Sequence, residues 1–380
     1  MFEFPAKLPV PKAPCVPVMQ ADLPLSSAIL PYLEQMDQNR VYSNFGPLSQ
    51  QLETRLAAHF GMQSGGVLSA SSGSAALVGA ILALTGQAAP GRQTALCASY
   101  SFAASVSSLR ACGYIPQFVD VDSDSWALDP QVLRALPDLA QVGLVVVTAP
   151  YGRAPDIAAW ESFTQDTGIP VVIDAAAGFD VFTEARLGFS DHVPVALSFH
   201  ATKAFACGEG GAILSTSADF LTHCRRAINH GFWGVRRVTC DNTNGKMSEY
   251  HASVALAELD RWESKAIRFS AVADCYRSTG AEIGIGDQLW LSGDISGVYA
   301  LCQFESGDRA LWAQKALYDH GFDSRFWYGF GLHAEPAFAG FDRGSMTVTN
   351  TLSRGLLGLP TSQCLSPDAI AQICKVIASI

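Results

Sequence analysis

Residues 170–216 read PVVIDAAAGFDVFTEARLGFSDHVPVALSFHATKAFACGEGGAILST. Three short apolar runs, VVI at 171–173, VAL at 195–197 and AIL at 212–214, each end in a polar residue. Such runs, bounded by turn formers and lacking polar alternation, are the pattern of strands buried on both faces of a parallel sheet. The same rhythm reaches back to about residue 65 through GGVLSAS, TALCASYS, IPQFVDVD and LVVVTAP. Helical segments lie between and after these runs. Asp129-Pro130 opens one, Asp156 opens another that ends at Gly168, and Ser217 opens a third, all read here as crossover helices. The fold class that follows is α/β, with a mostly parallel central sheet flanked by helices.

After Met247 the apolar positions Ala252, Ala255, Leu256, Leu259, Trp262, Ala266 and Phe269 recur at three- and four-residue spacing. That period predicts one long helix joining two units. Beyond it VYALCQFE reads as a strand, GDRALWAQKALYDHG as a helix, and Ser366-Pro367 as the start of a closing helix. The expected division is 1–246, an N-terminal segment plus a large α/β domain, and 247–380, a linking helix and a small C-terminal α+β domain. The Pro-rich first 20 residues and PYLEQMD are candidates to pack across the smaller unit.

Composition narrows the function. With 380 residues, 49% hydrophobic and 16% charged, the chain has ample apolar mass for a core. Its 25 Lys+Arg against 35 Asp+Glu give a net charge of −10, and without a long basic run this disfavours nucleic acid. Ten cysteines form no C-x-x-C pair, so we read reduced thiols and no metal site. Pro5, Pro9, Pro11, Pro14 and Pro17 interrupt any signal-like stretch, and AALVGAILAL falls well short of the roughly 20 residues a membrane span needs. A cytoplasmic location, away from membranes, is the expectation.

Three segments place polar chemistry at strand ends, the edge where open α/β sheets bind ligands. Ser71-Ser72-Gly73-Ser74 precedes the apolar helix AALVGAIL, and a helix N-terminus of this kind suits a phosphate. Asp174 closes an apolar strand and needs a cationic partner if buried. Lys203, in Ser198-Phe-His-Ala-Thr-Lys203, can act as an amine nucleophile toward a carbonyl. Each has a plainer role alone: a helix cap, a structural ion pair, a solvated lysine. Together they meet the needs of pyridoxal 5′-phosphate, whose aldehyde takes a lysine, ring nitrogen an aspartate and phosphate a helix N-terminus.

The chain resembles the DegT/DnrJ/EryC1/StrS family of pyridoxal-phosphate-dependent sugar aminotransferases, of fold type I, from about Val41 to the C-terminus. The stretches that carry the resemblance include NFGPLSQQLETRLAAHFG, SSGSAAL, SYSFAAS, YGRAPD, IPVVIDAAAGFD, LSFHATKAFACGEGGAIL and NGKMSEYHASVALAEL. It implies that Lys203 is the lysine joined to the cofactor and Asp174 the partner of its ring nitrogen. It further implies that Gly73, Ser74, Ala75 and Ser198 form the phosphate cup, and that Phe102 stacks on the ring. Asn244 matches the residue that reaches the phosphate in the neighbouring subunit, which implies a homodimer with shared active sites. The implied reaction carries an amino group from glutamate or glutamine to a keto group of a nucleotide-linked deoxysugar.

Two rivals stay open at this level. Dehydratases of the family have His in place of the lysine, so Lys203 weighs against a sugar dehydration. A non-catalytic regulatory member would not need both Asp174 and Lys203. One departure stands out: the third residue after the aspartate, often Gln, His or Glu in the family and near the ring oxygen of the cofactor, is here Ala177. The smaller residue leaves either a water-filled gap or room for another side chain, with Phe179 and His200 the nearest candidates in sequence.

Overall fold

A computed structural model describes residues 16–183, 188–362 and 365–380. Most of the Pro-rich segment, together with Cys15 and Cys364, lies outside the described residues. All seven strands read from the apolar runs are present: β1 Val67–Ala70, β2 Thr94–Ala98, β3 Ile115–Val119, β4 Val142–Thr148, β5 Val171–Asp174, β6 Val195–Ser198 and β7 Gly211–Leu214. Four more follow, β8 Leu289–Trp290, β9 Ala300–Gln303, β10 Asp342–Arg343 and β11 Leu356–Leu359.

The larger sheet has the order β1-β7-β6-β5-β4-β2-β3-β10, and only β7 runs against its neighbours. Strands β8, β9 and β11 make a separate antiparallel sheet. Burial on both faces is visible within single strands. In β4, Leu144 and Val146 join one apolar cluster while Val145 and Val147 join the other, as the two-residue period of a strand requires.

Helices α1 Ser26–Asn39, α2 Pro47–Phe60, α3 Gly73–Thr85, α4 Ala103–Ala111, α5 Pro130–Arg134 and α6 Ile157–Thr167 belong to the first half of the chain. Asp129 and Asp156 cap α5 and α6 by accepting backbone amides, as their sequence positions suggested. The Ser217-capped helix, Ala218–Ala227, differs from expectation. It follows β7 and packs on α3 and β1, so it covers the sheet edge and is not a crossover.

The long helix expected after Met247 is two helices, Glu249–Asp260 and Trp262–Ile283, separated at Arg261 (φ −103°, ψ 0°). The guanidinium at the break reaches Glu258 at 2.6 Å and the carbonyl of Asp22 at 2.6 Å. Lys265 donates to the same Glu258 carboxylate at 2.5 Å and to the Asp22 carbonyl at 2.8 Å. The N-terminal segment is thus tied here, and again where Val16 and Val18 meet Gly321 and Thr361. Among the described residues no helix is long and apolar enough to cross a membrane.

Glu258 and Lys265 are both buried, and burial pushes the Lys265 ammonium down while Glu258 opposes that. Removing one member strands the other's charge. Glu258→Leu is expected to cost about 3–5 kcal/mol in urea unfolding, and adding Lys265→Met should recover most of it.

Candidate active site

The carboxyl ends of β4, β5 and β6 lie side by side, with Thr148 opposite Asp174 and Asp174 opposite Ala196. Asp174 is 8% exposed. Its Oδ2 accepts the Ser105 hydroxyl at 2.5 Å, and its Oδ1 accepts the Ala176 amide at 3.2 Å. Burial pushes this carboxyl up; Ser105, Ala176 and the nearby charge of Lys203 pull it down. Among the described residues no cation makes the ion pair with Asp174 that its burial led us to expect from sequence; Lys203 acts on it only through space.

The other end of the site is the start of α3. Ser72 caps it, its hydroxyl accepting the Ala75 amide at 3.0 Å. The first-turn amides of Gly73 and Ser74 have no helical carbonyl to meet. Two glycines let the backbone converge here. A Cβ on Gly73 would stand 2.7 Å from the Ser198 Cβ, and one on Gly211 would stand 2.6 Å from the carbonyls of Leu197 and Ser72. Ser198 thus packs directly on the helix N-terminus, with Ser74 exposed beside it.

Lys203 sits in the turn after β6, its amide bonded to the His200 carbonyl at 2.8 Å. It lines a shallow cleft with Met19, Gln20, Asp22, Lys265 and Thr361. Phe102, the residue before α4, is 65% exposed. Asn244 is also exposed, its Oδ1 accepting the Lys246 ammonium at 2.7 Å. The next carbonyl, of Gly245, accepts the Ser71 amide at 2.7 Å, so this loop runs against the base of the chain's own α3 turn.

Phe179 and His200, the nearest in sequence to the space left at Ala177, have partners of their own. Phe179 stacks on Phe205 (centroids 4.1 Å apart) and on His59 (4.7 Å) within the core. An aromatic ring gains more from that apolar stack than from a polar cleft. His200 turns to Thr202 at 2.9 Å.

Sequence reading also missed a group of buried hydroxyls. Ser101 lies 2.9 Å from Ser105 and 2.7 Å from Thr148. Tyr100 and Tyr151 meet hydroxyl to hydroxyl at 3.0 Å, and Tyr328, from the C-terminal part, packs on both. Tyr151 has φ +54°, a left-handed conformation uncommon outside glycine, and its amide meets the Tyr328 hydroxyl. The serines of α4 at apolar helix positions were the one available signal. Burial pushes the Cys97 thiol up to about 12, which removes it as a nucleophile.

Residues 25–378 match the DegT/DnrJ/EryC1/StrS aminotransferase family. Protein Rv3402c of Mycobacterium tuberculosis is 26% identical, with 96% of this chain and 90% of that protein covered. The dTDP-4-amino-4,6-dideoxy-D-glucose transaminase of Shigella dysenteriae is 31% identical over 65% of both chains. A solved Bacillus cereus structure, assigned to the PLP-dependent aminotransferases, superposes with TM-score 0.86 at 25% identity, covering 96% of this chain and 99% of that one.

The close approach at Gly73 gives a direct test of the turn. Gly73→Ala should push Ser198 away from α3 and weaken pyridoxal phosphate binding about tenfold, read by fluorescence titration. Unchanged affinity would remove this turn from the binding site.

Proposed function

The chain belongs to the DegT/DnrJ/EryC1/StrS aminotransferase family, and from that premise we propose that it aminates a keto group on a nucleotide-linked deoxysugar, with glutamate or glutamine as donor. It is a pyridoxal-phosphate-dependent aminotransferase. A relative that is a dTDP-sugar transaminase supports the substrate class. We place it in the cytoplasm as a homodimer.

One observation carries the reading of the site. Asp174 is a buried carboxylate whose hydrogen-bond donors are a hydroxyl and an amide, at the sheet edge that also holds Lys203 and the open first turn of α3. Such a carboxylate fits a protonated ring nitrogen, and the Gly73–Ser198 contact fits a phosphate cradle. Bound there, pyridoxal phosphate would supply an aldehyde for the amine and a ring that draws electrons from the reacting carbon.

The chain's own groups do the rest. The Lys203 amine, held in the turn after β6, would move the proton at the carbon where the amine is exchanged, removing it from the amino donor and delivering it to the former keto carbon of the sugar. Asp174 holds a proton at the ring nitrogen. Gly73, Ser74, Ala75 and Ser198 bind the phosphate, and Phe102, standing exposed beside α4, covers one face of the ring. Asn244 reaches a partner subunit's phosphate cup. Retention of Lys203 favours amination over dehydration on this scaffold.

Lys203→Ala is expected to lose both turnover of a keto-sugar nucleotide with glutamate and the visible absorbance of the bound cofactor. Asp174→Ala should keep the cofactor through its phosphate while kcat falls about 10²–10³-fold. Purified protein that takes up no pyridoxal phosphate would overturn the reading. The shared site has its own assay: Lys203→Ala and Asn244→Asp chains, each inactive, should regain activity when mixed into heterodimers. Inactive heterodimers would confine Asn244 to its own chain's site.

A further inference from the structure

The three buried hydroxyls beside Asp174 have a forced order. A carboxylate only accepts, so the single proton of Ser105 is committed to Asp174 Oδ2. Ser105 then accepts from Ser101 at 2.9 Å, a closer acceptor for the Ser101 proton than the Phe102 carbonyl at 3.5 Å. Thr148, 2.7 Å from Ser101, must therefore donate to it. The result is a one-way chain, Thr148 to Ser101 to Ser105 to Asp174, drawn from the end of β4, the β2–α4 turn and the first turn of α4. All four members are buried.

We propose that Ser105 is a positioning residue for the amination. It orients the Asp174 carboxylate and, backed by Ser101 and Thr148, keeps that carboxylate anionic so that the proton stays on the cofactor's ring nitrogen. The inference rests on the assignment of Asp174 to that nitrogen. Donated hydrogen bonds lower a carboxylate's affinity for protons, and successive hydroxyls polarise one another in a low-dielectric interior. Without them the shared proton moves from nitrogen toward Asp174, and the ring becomes a weaker electron sink. Burial pushes Asp174 the same way, so Ser105 works against the environment in which the aspartate sits. The titratable groups that face Asp174 electrostatically are Lys203 and Tyr328.

The measurement is the ¹⁵N NMR shift of ring-labelled pyridoxal phosphate bound to the chain, with kcat recorded beside it. Ser105→Ala should move the signal toward that of an unprotonated pyridine, shift the acid limb of kcat to higher pH, and lower kcat roughly tenfold. Cofactor affinity should change less than about threefold. Ser105→Thr, which keeps the hydroxyl, should restore the wild-type signal, and Thr148→Val should move it less than Ser105→Ala. A wild-type signal in Ser105→Ala, where Asp174→Asn does move it, would overturn the role of Ser105 and leave that of Asp174 standing. An unmoved signal in Asp174→Asn would overturn both.

Discussion

A carboxylate buried at the end of β5 sets the terms for the surrounding structure. Asp174 terminates a strand whose residues face apolar clusters on both sides of the sheet, where an unpaired charge is costly. The chain meets that cost with short, neutral donors from α4 and the turn after β5, and with a lysine charge held off contact. A direct ion pair would have satisfied Asp174 more fully. It would also have taken the position from which the aspartate can hold another cation.

The same edge requires close backbone approach. Gly73 and Gly211 bring α3, β6 and β7 within distances that no Cβ permits, which seats the N-terminus of α3 on Ser198. The reversed direction of β7 matters here. Because β7 lies between β1 and β6, it joins the strand that leads into α3 to the strand that leads into Lys203. The helix turn and the lysine are thereby fixed to one rigid piece of sheet.

How much of this was legible in the sequence depended on the range of the interactions. The strands could be read because burial on both faces leaves uninterrupted apolar runs such as VVI and VAL. Asp174, Lys203 and the Ser72-Gly73 turn could be read because polar residues at the ends of such runs are conspicuous. Ser105 left only a faint signal, its place at an apolar helix position, since a serine in the first turn of a helix looks the same whether it meets solvent or a carboxylate 69 residues away. The break at Arg261 was hidden likewise. Apolar periodicity continues across it, while the side chain at the break turns to Glu258 and Asp22. The position of Phe179 was equally unreadable, because sequence proximity to Ala177 says nothing of a stack on Phe205.

The tyrosines extend the reasoning to the C-terminal part of the chain. Tyr328 packs on Tyr100 and Tyr151, and Asp174 is among its electrostatic neighbours. Nearby, Leu332 and His333 are bound to Ser99 at the end of β2, so the segment 328–333 is seated on the same sheet edge. The backbone strain at Tyr151 falls where this segment meets β4, and Gly152 beside it lies against the carbonyl of Ala177. That contact is with the backbone of residue 177, and Gly152 itself has φ +85°, so the close approach requires glycine at 152 whatever side chain stands at 177.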